Sequence, residues 1–295
     1  MDLYRYISFE EFMSIVTLKR LHFVQPTQWP DTYEGCLYQM LENDENLEPL
    51  LSILYEASAF EEQRFIAKGM ITDYHRILMV KHNWYGQCWT YKGDESDAFW
   101  RIYSYNNKAI RIRTSNLKVK KIFDSENYMV KMKKIRYDKN LSEDDLLKSQ
   151  AWMLVKSDDT TESYFHKRKA FSHEREYRVL VSPKRNLKGN KDARSLFLHS
   201  ANEFAQKRLD DYVQLYPLAS KEDCVASCAS IIRAQKFELK KASPLYVPVD
   251  AASDFITEVL VTPLAADWYV EVVESICNQN NIPFAGKSHL YDAIP

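Results

Sequence analysis

Glycine is the residue this chain most does without: only 6 of its 295 positions carry it. A dinucleotide fold needs clustered glycines, because a Cβ blocks the close approach of backbone to pyrophosphate. No such cluster exists. A P-loop needs G-x-x-x-x-G-K-[ST]. Gly286-Lys287-Ser288 matches the end of one, but Asn281 stands where its first glycine belongs. The G-x-S-x-G elbow of an α/β-hydrolase is also missing. These absences exclude the glycine-dependent nucleotide folds and the α/β-hydrolase elbow.

The rest of the composition is that of a folded protein, with 45% hydrophobic and 27% charged residues. At about 150 residues per domain the length allows two domains. No linker, repeat or low-complexity tract divides the chain, so one α+β domain over residues 1–295, with helical insertions near 41–80 and 200–236, is expected. The five cysteines (Cys36, Cys88, Cys224, Cys228, Cys277) form no CxxC, and the seven histidines show no metal spacing. They read as reduced thiols and as surface or core imidazoles, so no metal is expected. No apolar run reaches the roughly 18 residues of a membrane span. The Met1–Arg5 start does not read as a signal peptide, and none is expected. A cytoplasmic location of bacterial type, with no membrane partner, is expected.

Net charge is −1, but it is spread unevenly. Residues 108–194 hold 23 of the 40 Lys and Arg and 12 of the 41 Asp and Glu, leaving 17 against 29 elsewhere. The basic middle third either meets an anion or docks on the protein's own acidic segments.

Hydrophobic spacing predicts a strand over Leu3–Ile7, then a helix to about Arg20. Ser8 is its expected N-cap, with Glu11 reaching back in a capping box. Leu21–Val24 is extended, and Gln25–Gly35 is a loop. That loop carries Trp29, Tyr33 and Glu34, which are costly to leave idle in solvent. Helix is expected within 41–80, strand at Gln87–Thr90, and a short helix at Asp94–Ser104. Strands are expected at Ala109–Thr114 (half-buried), Leu117–Phe123 and Tyr128–Tyr137, and a helix from Ser142 to about Val155. Then come strands at Arg175–Val181 and Ser195–Leu198, helices at 201–216 and 220–235, a strand at Phe255–Val261 and a helix at Asp267–Asn280. This order implies an α+β fold with a mixed or antiparallel sheet and flanking helices.

Three clusters carry chemistry. In Tyr4-Arg5-Tyr6, strand alternation sends Arg5 to one face and both tyrosines to the other. An Arg on a central strand needs an anion, either a phosphate or a structural carboxylate. In the second cluster Trp100 and Tyr103 share a helix face, which either stacks a planar ring or packs in the core. In the third, Phe171–Arg178, residues Glu174, Glu176 and Arg178 share a strand face if the strand starts near Glu174. A carboxylate pair at i and i+2 can hold a ribose hydroxyl and stabilise an oxocarbenium cation. It can equally be a charge ladder with Arg178.

In this order the clusters resemble a bacterial family known as domain-of-unknown-function family 2971. The shared features are the opening Tyr4-Arg5-Tyr6, the Leu21-His22-Phe23-Val24-Gln25-Pro26 turn, and the Trp29-Pro30-Asp31-Thr32-Tyr33-Glu34 loop. Cys88-Trp89-Thr90, Phe99-Trp100-Arg101-Ile102-Tyr103 and a Phe-x-x-Glu-x-Glu-Tyr-Arg signature at Phe171–Arg178 follow. The resemblance runs over residues 3–183, with an echo at Glu258–Val261.

The opening strand–helix–turn and the later Glu-aromatic-x-Val-Leu-Val strand are also similar to ADP-ribosyltransferases of the DarT kind, with Tyr-Arg where those carry Tyr-His. That likeness implies a split sheet that cradles NAD with side chains, and a toxin or phage-defence effector that transfers ADP-ribose from NAD. Glu176, or else Glu174, would act on the ribose with Arg5. Arg5, Tyr6, Tyr33, Trp100 and Tyr103 would bind NAD. The basic 108–194 region would dock a nucleic-acid acceptor, and an antitoxin or operon partner would restrain the toxin. The competing readings are a noncatalytic nucleic-acid- or protein-binding module on the same scaffold, and a hydrolase or nuclease.

Overall fold

The computed structural model describes residues 1–31, 33–41, 43–103, 105–123, 127–138, 147–149, 151–152, 159–184, 203–211, 213–214, 218–235 and 244–292. Its centre is a seven-stranded mixed sheet in the order β11-β10-β4-β1-β3-β8-β5. The strands are β1 (Asp2–Ile7), β3 (Tyr85–Thr90), β4 (Ile110–Ser115), β5 (Tyr128–Lys134), β8 (Glu176–Pro183), β10 (Glu258–Val261) and β11 (Phe284–Lys287). Neighbours run antiparallel except β10 and β11. Two ribbons flank the sheet: β2 (Arg20–Phe23) with β9 (Leu245–Pro248), and β6 (Arg136–Asp138) with β7 (His166–Arg168).

The sheet has one weak seam. β1 pairs with β4 over six residues, from Asp2↔Ser115 to Ile7↔Ile110. On its other side it meets β3 only at Tyr4↔Thr90. Beyond that pair β1 and β3 part, and the far end of β3 is taken by Val24, which bridges Gly86. The strand-borne chemistry gathers at this opening.

One face of the sheet buries Leu3, Ile7, Ile110, Ile112, Val179 and Val259 against α1 (Phe9–Leu18), α6 (Asn116–Ile122) and α8 (Asp267–Gln279). A second core forms among α2 (Cys36–Met40), α3 (Leu47–Glu56), α4 (Gln63–Asn83) and α7 (Lys221–Arg233). There Leu50, Leu51, Met70, Ile71, Cys228 and Ile232 meet Leu180 of β8. A small third cluster seats Tyr6 and Trp100 of α5 (Asp97–Tyr103) with Ala109 and Leu260.

Several sequence expectations are corrected. Leu117–Phe123 is not a strand: Ser115 accepts a hydrogen bond from the Lys118 N–H and starts α6. Val119, Ile122 and Phe123 satisfy helical spacing as well as alternation, and the cap decides between the two periods. Ser8 does cap α1, but the Glu11 carboxylate turns to Arg5, a charge-assisted partner stronger than a backbone N–H. α1 stops at Leu18 because Lys19 takes the left-handed conformation at φ 48°. Arg175, at φ 46°, lies outside β8 for the same reason. β4 is more than half-buried: Arg111 is buried beside Ile110 and Ile112, and Arg113 stays partly exposed. The expected Ser195–Leu198 strand and most of the Ser142–Val155 helix lie outside the described residues. No helix among the described residues is long and apolar enough to cross a membrane.

Candidate functional site

A cleft of about 450 Å³ opens where β1 and β3 part. Its size is within the usual range for small-molecule sites. Tyr4, Arg5 and Tyr6 of β1 line one side and Gly86 to Thr90 of β3 the other. The loop after β2 adds Trp29, Pro30, Asp31 and Glu34. α5 contributes Phe99 and Tyr103, while β7, the turn after it and β8 supply Lys167, Arg168, Phe171, Glu174 and Glu176.

The seam explains how residues of opposite orientation share this space. Arg5 has the parity of Leu3 and Ile7 and therefore belongs to the α1 face; Tyr6 faces α5. In an unbroken sheet they would never meet the same ligand.

The deep wall of the cleft is a buried ionic network. Arg178 has no exposed surface. Its guanidinium donates to Glu176 Oε1 at 2.7 Å, to Glu34 and to the Tyr164 carbonyl, and it stacks over the Trp29 ring at 4.2 Å. Lys167 Nζ reaches Glu174 Oε2 at 2.6 Å, Glu34 Oε1 at 3.1 Å and Glu176 Oε2 at 3.4 Å. Burial disfavours the charge on both cations, but the carboxylates outweigh it and push both pKa values up.

The two most buried carboxylates respond in opposite directions. Burial raises the Glu34 carboxyl, and Arg178 and Lys167 do not fully offset it. Burial also acts to raise Glu176, but there Arg178 and Lys167 win and its carboxyl is held below the ordinary range. Two carboxylates driven apart in this way are suited to different protonation roles. Three carboxylates against two cations leave the network one negative charge in excess. Its most accessible member is Glu174, whose side chain is 21% exposed against 3% for Glu176.

Around this network sit two further pairs. Arg168 Nη2 is 2.5 Å from Asp31 Oδ1. Arg5 Nη1 is 2.7 Å from Glu11 Oε1, and its guanidinium lies 6.0 Å from the Trp89 ring centre. The Gln25–Gly35 loop is fixed by close approaches that only glycine permits. A Cβ on Gly86 would strike the Trp29 ring, and Gly35, at φ 71°, lies against Tyr164.

The cleft therefore unites Arg5, Tyr6, Tyr103, Glu174 and Glu176, five of the seven residues singled out in the sequence. Trp100 is not in its lining: it is buried edge-on to Tyr6 and donates Nε1–H to Glu95 Oε2 at 2.8 Å. Tyr33 is not in the lining either; burial lifts its hydroxyl to about 12. Glu174 and Glu176 converge although β8 starts only at Glu176, because Lys167 ties both.

Three participants escaped the sequence reading. Lys167 carried no signal in a His-Lys-Arg run. Glu34 was visible as an idle acid in an aromatic loop, but its pairing with Arg178 was not. His22 read as one histidine among seven, yet it lines the cleft.

Much of the basic middle third docks on acids of the same chain. Arg113 meets Asp2 and Glu258, Arg168 meets Asp31, and Lys131 and Lys133 meet Asp159. No group of three or more His, Cys, Asp or Glu among the described residues is arranged to hold a metal ion.

Comparison with the curated proteins and with the solved structures finds no match. Residues 99–179 match the family model described as "Protein of unknown function (DUF2971)". That span runs from α5 into β8 and carries Tyr103, Lys167, Glu174, Glu176 and Arg178. From the α5 aromatics to the Phe-x-x-Glu-x-Glu-Tyr-Arg run, this chain is thus similar to the DUF2971 family.

Proposed function

We propose that the cleft binds NAD, cleaves its nicotinamide–ribose bond and passes ADP-ribose to an acceptor, with nucleic acid as the acceptor class. The observation that carries this reading is the meeting of Arg5, Tyr6, Tyr103 and the Glu174/Glu176 pair at one opening in the sheet. Aromatic walls suit a planar ring. The excess negative charge suits the cation that develops on ribose C1′ as the bond to nicotinamide breaks. Glu174 would face that carbon: it also meets Lys167 but is the more exposed of the pair, whereas Glu176 is enclosed by Arg178 and Lys167. Arg5, anchored by Glu11, keeps further N–H donors for a phosphate or a ribose hydroxyl. Such side-chain contacts need no glycine-rich loop.

In this reading the protein is a toxin or phage-defence effector held in check by a partner protein. The test is nicotinamide release from NAD by the purified chain, with and without DNA or RNA, beside Glu174→Gln. Wild-type release that falls about 100-fold or more in the variant supports the proposal. No release by folded wild-type protein under any of these conditions refutes it.

One observation favours a second reading, a noncatalytic binding module. Both oxygens of Glu176 are taken up by buried cations, as in a purely structural network. Nucleic-acid binding without NAD turnover would establish it.

A further inference from the structure

We infer that His22 is the base that deprotonates the acceptor during glycosyl transfer; the inference rests on the NAD reading above. His22 is among the residues that line the cleft, within electrostatic reach of Arg5. No described residue hydrogen-bonds its imidazole. Nε2 is sealed from solvent without a partner, so the accepting role is assigned to Nδ1.

The ring is held rather than loose. His22 pairs with Tyr246 across the β2–β9 ribbon, and the two rings stack at 5.4 Å. Its carbonyl accepts the Gln87 Nε2–H at 3.0 Å, so the backbone is pinned to β3 whatever the side chain does.

The carboxylates and the Lys and Arg side chains of the cleft are committed. Glu34, Glu174 and Glu176 are bound to Lys167 or Arg178, Asp31 to Arg168 and Arg5 to Glu11. The Cys88 thiol is pushed well up by burial. A base must be unprotonated and free to accept. Burial is the main cause that holds the His22 imidazole below its ordinary value. Of the charged groups that face it, Glu11 on α1 pulls upward, while Arg5 on β1 and Arg20 on β2 push downward. It is therefore neutral at physiological pH.

The placement also suits a displacement. Glu174 and Glu176 line the same cleft as His22. An acceptor X–H held at His22 would attack ribose C1′ while the carboxylates stabilise the cation that develops there. The X–C1′ bond forms as the C1′–N bond of nicotinamide breaks. The electron pair of that bond leaves with nicotinamide and neutralises its ring. The proton from X passes to His22 Nδ1 and then to solvent.

The test compares wild type with His22→Gln in the full chain, reading the pH profile of kcat for nicotinamide release and the Kd for NAD. In wild type, kcat should rise with pH through an ionisation below the usual histidine value. The variant should lose that limb and about 100-fold in kcat, keep Kd within about threefold, and recover partly with added imidazole. A variant with unchanged kcat and pH profile overturns this inference alone. Wild type that never releases nicotinamide overturns the NAD reading and this inference with it. Should His22→Gln fail to fold, NMR titration of the wild-type imidazole decides. A ring that is protonated at neutral pH overturns the proposal.

Discussion

Arg178→Met is the sharpest probe of how the site is built. The arginine is wholly enclosed, and it is the shared partner of Glu34 and Glu176. Methionine fills much of the same space but leaves two buried carboxylates with Lys167 as their nearest remaining cation. Removing one partner from a buried ion pair costs about 3–5 kcal/mol, chiefly because charge is left unpaired away from water. Unfolding entropy near 2.1 cal/mol/K per residue gives roughly 0.6 kcal/mol/K for 295 residues, so Tm should fall by about 5–8 °C at neutral pH.

The pH dependence has a definite sign. In wild type the Glu176 carboxyl is held below its ordinary value, so its contribution is present above that value and is lost as pH falls. Without Arg178 that contribution disappears and burial favours protonation of both acids. The deficit of the variant should therefore be largest at neutral pH and shrink in mildly acidic buffer. Circular-dichroism melts at both pH values check this. Adding Glu176→Gln to Arg178→Met should restore at least about 1 kcal/mol of the loss, a coupling that independent sites do not show. A neutral-pH Tm drop below about 2 °C, or a deficit that grows on acidification, refutes the reasoning.

Two further outcomes follow from packing. Gly86→Ala should destabilise the fold by about 1–3 kcal/mol and weaken ligand binding in the cleft, because its Cβ would push the Trp29 ring off β3 and sit 3.2 Å from Leu180 Cδ2. Denaturant unfolding and calorimetric titration read the two effects. Ser220→Ala should cost about 1 kcal/mol in denaturant midpoint and leave the cleft unaffected, because it removes one half of the capping box that starts α7.

The alternation of Tyr4-Arg5-Tyr6 was enough to put Arg5 and the tyrosines on opposite faces of a central strand, and β1 is the fourth of seven. Spacing also located α1, α5, β3 and α8 to within a few residues, since each buries one apolar face whose period survives in the sequence. Leu117–Phe123 was misread because its apolar residues fit both periods, and a serine cap settled the matter. Glu174 and Glu176 stood out as a carboxylate pair, but nothing local showed that Lys167 and Arg178 would hold them or that Glu34 would join.

The sequence by itself determined most of the element types, the absence of glycine-rich phosphate loops, and which residues had chemistry to offer. Those properties are set within a few positions of each residue. Only the tertiary structure decided that Arg5, His22 and Glu174 share a cavity while Trp100 and Tyr33 stay out of it. That outcome depends on β1 and β3 meeting at one residue pair and then parting. A seam of that kind is made by pairing between distant segments and leaves no period along the chain.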